Sequence, residues 1–221
     1  MTPFAKIHKA AEKRLGKEGL AARLPKVKSP AALKRVGNDR YFSLMSLRIF
    51  RAGLRHEMVD AKWPAFEIAF KGFDPRKVRA MSDESVENML SDRRLIRHLG
   101  KLKAVHANAA AICDLVAERG DFGVYLAGWP GERVVELWEE MAKRFQQMGG
   151  NSSAYFLRMA GKDTFILTDA VVLALNHWGA FAGEPKGKKA RAQVQEVFNA
   201  WAEETGFPLA HLSMIAATSL D

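Results

Sequence analysis

Apolar residues recur along this chain at intervals of three and four and almost nowhere at two, so the pattern predicts helices throughout. Val134, Val135, Leu137, Trp138, Met141 and Phe145 share one face of an amphipathic helix over 131–147. Leu102, Val105, Ala109, Ile112, Leu115 and Val116 do the same for a long helix from Lys101 to Glu118. A dense apolar run from Tyr41 to Ile49 ends near Ala52, Gly53 and Leu54, and the next helix covers 55–70, with Trp63 and Pro64 a point of bending. Proline at a first helical position marks a start at Phe73, Asp74 and Pro75, and Ser82 marks another. A short basic helix over 4–15 opens the chain, and Gly16, Gly19, Pro25 and Pro30 punctuate the loop and turns after it. Helices at 170–180, 189–204 and 208–217 close the chain. The reading is all-α, with about ten helices.

One stretch carries candidate chemistry. The helix ending at Phe145 runs into Met148, Gly149 and Gly150, then Asn151, Ser152 and Ser153, which favour the start of another helix. Amides at a helix N-terminus behind a glycine turn suit a phosphate. Beyond lies the apolar Phe165, Ile166 and Leu167, then Thr168 and Asp169, which places an acid at the next helix start.

This arrangement resembles the helix-hairpin-helix of the base-excision DNA glycosylase superfamily. The usual hairpin is glycine, hydrophobic, glycine, three residues and a small one; here Met148, Gly149, Gly150 and Ala154 stand in those places, with methionine for the first glycine. The superfamily's catalytic aspartate lies about twenty residues past the second glycine, and Asp169 lies nineteen past Gly150. Ala52-Gly53-Leu54, Phe73-Asp74-Pro75 and Ile96-Arg97-His98 with Gly100-Lys101 are similar to the bacterial 3-methyladenine DNA glycosylase I family over 42–112.

The resemblance implies a two-lobed helical fold and a monofunctional DNA N-glycosylase, a hydrolase of base-excision repair. Its partner is double-stranded DNA containing a damaged base, an alkylated purine. Asp169 takes the catalytic place, and Gly149, Gly150, Asn151, Ser152 and Ser153 the DNA-backbone site. Arg48, His56, Phe42 and Trp63 are the candidates for the base pocket. Where the family has a glutamate that contacts the methylated base this chain has Arg48, and His56 replaces a stacking tryptophan. The Schiff-base lysine of lyase branches corresponds to Ser152, so strand cleavage is not expected. The family's structural zinc is held by cysteines and histidines near the ends; those cysteines are missing here, so neither metal nor cofactor is expected.

Alternatives stand beside each assignment. Asp169 also suits a plain N-cap, shared with Thr168, and the glycine pair suits an ordinary helix turn. Phe42 and Trp63 sit at spacings typical of core, and Arg48 and His56 suit a surface equally well. A non-catalytic DNA-binding protein on the same scaffold is the rival function, and a helical protein-interaction domain is a third.

Composition narrows the setting. A chain of 221 residues with 48% hydrophobic and 27% charged residues fits a globular protein with a good core. A single cysteine, Cys113, excludes an internal disulfide framework. No apolar run reaches the roughly 20 residues of a membrane span. Of the net charge of +9, residues 1–40 hold +8 through eleven Lys/Arg against three Asp/Glu, which suits salt-sensitive attraction to nucleic acid. Residues 1–40 are therefore read as a basic N-terminal extension, 41–221 as the glycosylase-like domain, and the protein as a cytoplasmic, nucleoid-associated monomer.

Overall fold

Short polar side chains set where many of the helices begin. Ser29 Oγ accepts from the amide of Ala32, Asp74 Oδ1 from Arg76 and Lys77, Ser82 Oγ from Ser85, and Thr168 Oγ1 from Val171, each satisfying a donor the helix itself cannot. The structure, a computed structural model, describes residues 2–220. Among these residues are thirteen α-helices and no strand. They are α1 (Phe4–Ala21), α2 (Pro30–Lys34), α3 (Asn38–Arg51), α4 (His56–Ala69), α5 (Pro75–Arg79), α6 (Asp83–Asn88) and α7 (Leu99–Arg119). The chain continues through α8 (Phe122–Gly128), α9 (Val134–Arg144), α10 (Ser152–Ala160), α11 (Asp169–His177), α12 (Gly187–Thr205) and α13 (Leu209–Ala217).

The helices beyond the expected ten include two that glycine and proline hid. Pro30 sits at the first position of α2, behind the Ser29 cap, and starts a helix rather than a loop. Gly123 lies inside α8 because that helix presses on α2: a Cβ there would come within 2.3 Å of the Leu33 carbonyl oxygen. In α1 the helix runs on past residue 15, interrupted only where Gly16 leaves helical geometry.

The chain divides into two units, and it passes between them more than once. Unit 1 holds the chain up to Lys28, Trp129–Leu137 and everything from Gly161 onward. Its core is aromatic: Phe165 stacks on Phe198 at 4.3 Å, Phe198 meets Trp201 edge-on, and Phe4 leans on Trp201 at 5.1 Å. Glu204 Oε1 accepts from the amide of Phe4 at the start of α1, where a negative charge is favoured. Residues 1–40 are thus not a separate extension. Phe4, Ile7 and Ala11 form an apolar stripe beneath the lysines and are fully buried in unit 1, while α2 and the start of α3 belong to unit 2.

Unit 2 comprises Ser29–Gly128 and Trp138–Ala160. Helix α3 packs against α4, α7 and α10. One cluster joins Phe42, Phe50, Trp63, Phe66, Phe70 and Phe73; another gathers Phe145 and Phe156 around Phe122, beside Tyr41. At about 1.5–3 kcal/mol for each buried aromatic or aliphatic side chain, such clusters fix the backbone on which the candidate residues stand.

Candidate active site

The hairpin is built by a reversal and two clamps. Past Arg144 the chain keeps one more helical bond, Phe145 N–H to Met141 O, and then reverses through Gln147 (φ 63°) and Gly150 (φ 59°), both left-handed. Phe145 and Met148 are buried and pin the turn from below, leaving Gly149 and Gly150 exposed. Asn108, buried on α7, receives the Gln146 amide on Oδ1 at 2.7 Å and returns Nδ2 to the Gln146 carbonyl at 3.1 Å. Ser153 Oγ donates to Met148 O at 2.7 Å and closes the loop. The Ser153 proton is therefore spent inside the hairpin, and its side chain, fully buried within α10, is out of reach of DNA. Ser152 is nearly buried, and Asn151 half-buried.

Asp169 is the first residue of α11, in unit 1. The segment before it is extended and buried: Ile166 N–H donates to Ser213 Oγ, and Thr168 N–H to Ile166 O. The cap of α11 is Thr168 alone, so the plain N-cap reading of Asp169 fails. Its carboxyl is exposed, and among the described residues it has no hydrogen bond or ion pair. An acid at a helix N-terminus, facing solvent and not engaged in capping, is available for chemistry.

The four base-pocket candidates all lie in unit 2, and they separate. Phe42 is fully buried, edge-on to Phe73 at 5.5 Å, and corrects to core: its place on the inner stripe of α3 leaves it no open face. Trp63 is half-buried, stacked on Phe66 at 5.0 Å and on Phe73 at 5.3 Å, with Nε1 donating to Ser43 Oγ. His56 is exposed at the first position of α4. Arg48 lies with its guanidinium over the Tyr155 ring, 4.5 Å from the centroid, and so ties α3 to the second hairpin helix. Burial, and then the charge of Arg51, depress the Arg48 guanidinium, with Tyr155 opposing.

Sequence reasoning missed Lys101. Its ammonium is buried and donates to the carbonyls of Phe50 (3.3 Å) and Ala52 (2.6 Å), at the end of α3, where a cation suits the helix dipole. Burial and the Arg48 charge lower its pKa. In the same motif His98 Nδ1 accepts from the Lys101 amide and caps α7, so this signature locks α3 to α7. Among the described residues no group of three or more His, Cys, Asp or Glu side chains is placed to hold a metal ion.

A family model of methyladenine glycosylases matches residues 32–160, more than half of the chain. The chain belongs to the methyladenine glycosylase family. The match covers unit 2 almost entirely and stops at the last residue of α10, so Asp169 lies beyond it. DNA-3-methyladenine glycosylase 1 of Escherichia coli (strain K12) is 39% identical over 78 residues; these make up 35% of this chain, which spans only 42% of the length of that relative. Among solved structures, 3-methyladenine DNA glycosylase I of Staphylococcus aureus aligns with 72% of the chain and 95% of its own at TM-score 0.54 and 20% identity. The 8-oxoguanine DNA glycosylase of Methanocaldococcus jannaschii aligns with 95% of the chain and 91% of its own at TM-score 0.58 and 16% identity. At such identities the likeness is one of fold. It extends over the part of the chain that the methyladenine glycosylase family model leaves uncovered.

Proposed function

We propose that this protein is a monofunctional DNA N-glycosylase that removes a damaged base from duplex DNA in base-excision repair. The observation that carries the reading is Asp169: an exposed carboxyl, relieved of capping by Thr168, in a chain of the methyladenine glycosylase family. The target base is out of reach inside a duplex, so the nucleotide is turned out first. Amides at the exposed Gly149 and Gly150 hold a backbone phosphate, which fixes register without reading sequence, while the Ser152 amide is spent on the Gly149 carbonyl. As the bond from C1′ to the base nitrogen breaks, the sugar gains oxocarbenium character, as in sugar hydrolysis. Asp169 stabilises that charge and takes the proton of the water whose oxygen bonds to C1′. Ser152 stands where an imine-forming lysine would be needed, so the product is an abasic site with its strand intact.

Asp169→Asn is expected to lower base release by roughly 10²–10⁴-fold while leaving the affinity for duplex DNA unchanged. Release at the wild-type rate would remove Asp169 from the mechanism. Arg48, a partly buried cation with no acidic partner among the described residues, favours the second reading of a non-catalytic DNA-binding scaffold; binding without excision of any lesion supports that view. A repair role places the protein in the compartment that holds the DNA, acting as a monomer.

A further inference from the structure

The surroundings of Arg48 narrow the base that such an enzyme accepts. Arg48 Nε is buried and has no hydrogen-bond acceptor within the protein, although the residue as a whole is only half-buried. One side of its guanidinium rests on Tyr155. The two charges that act on or answer to Arg48, those of Arg51 and Lys101, are both positive. Lys101 feels Arg48 as a repulsion, and so does Arg48 the neighbouring Arg51, whose own partner is Asp60 at 2.6 Å. Among the described residues neither Arg48 nor Lys101 has a carboxylate partner. The polar groups Arg48 offers a ligand are donors only, in a planar fork suited to a carbonyl oxygen beside a ring nitrogen.

We propose that the pocket takes a neutral purine presenting a carbonyl to Arg48, of the deaminated or oxidised kind, and rejects a cationic alkylated purine. A base turned out of the stack is read by hydrogen bonds to its edge, and an acceptor meets Arg48 favourably. A cationic base meets like charge in a partly desolvated place, where no carboxylate is paired with Arg48 to offset it. This inference rests on the glycosylase reading and on Arg48 lining the pocket, and it reverses the charge preference that the family resemblance implies.

The test compares wild type, Arg48→Gln and Arg48→Glu. The substrates are otherwise identical duplexes bearing one hypoxanthine or one 8-oxoguanine, and methylated DNA that releases 3-methyladenine. Wild type is expected to release a carbonyl-bearing base at least tenfold faster than 3-methyladenine. Arg48→Gln, which keeps a donor, should weaken that preference and Arg48→Glu invert it, with helicity and thermal midpoint recorded to confirm folding. Faster release of 3-methyladenine by wild type, or an order unchanged in Arg48→Glu, overturns the inference while the glycosylase reading stands. Should no duplex lose a base, that reading falls separately. Calorimetry with free hypoxanthine and free adenine then decides: tighter hypoxanthine binding lost in Arg48→Gln upholds the pocket, and equal or absent binding ends it.

Discussion

Tyr41 shows how one buried polar atom can be followed by pH. Its hydroxyl donates to the Leu33 carbonyl at 2.8 Å, joining α3 to the end of α2, and burial pushes the phenol from 10.0 up to about 12. A group whose folded pKa is raised stabilises fully below its unfolded value and loses that contribution as pH climbs through the folded one. Because Leu33 O also accepts from Val36 N–H, Tyr41→Phe should cost only about 0.5–1.5 kcal/mol at neutral pH. That gap, measured by urea unfolding, should close between pH 10 and about 12; a constant gap would sever Tyr41 from the alkaline loss. Other individual residues were only half legible. Lys101 and Asn108 share the stripe of α7 with Val105, Ile112 and Leu115, and polar residues on an apolar stripe are a readable signal of inward hydrogen bonding. What they bond to, the α3 carbonyls and Gln146, was not readable, because those partners are 38 to 51 residues away.

Among the elements, the hairpin separates structural from functional glycine. Gly150 needs its glycine for conformation, having φ 59°, so Gly150→Ala should cost about 1–2 kcal/mol. Gly149 lacks positive φ, and a Cβ added there meets no atom within 4 Å, so the fold itself does not demand a glycine. If its backbone is approached closely by a DNA phosphate, Gly149→Ala should leave the thermal midpoint nearly unchanged and weaken DNA binding several-fold. A variant that binds DNA like wild type would take Gly149 out of the contact. Helix α5 was legible from its first-position proline, α6 from Ser82, and α7 and α9 from periodicity, since these signals act within a few residues. Helix α8 was not, because Gly123, a helix breaker by local preference, answers instead to the backbone of α2.

For the molecule as a whole, charge and connectivity matter most. The net charge of +9 is concentrated at the start of the chain, and Lys6, Lys9 and Lys13 stand exposed on α1 opposite its buried stripe. Duplex affinity is expected to fall linearly on a log–log plot against salt, each neutralised phosphate adding about 0.9 to the slope. Replacing these three lysines by glutamine should flatten that slope; an unchanged slope would assign them to a solvated face. By itself the sequence determined the helical class, most helix starts, the glycine hairpin, the acid beyond it and the family, because spacing, capping and turn preference are interactions among near neighbours in the chain. Only the tertiary structure decided that α1 is built into unit 1, that Phe42 is core, that Thr168 rather than Asp169 caps α11, and that Arg48 and Lys101 stand as cations without an acid. Each of these turns on which distant residues close over a side chain, and local spacing carries no record of that.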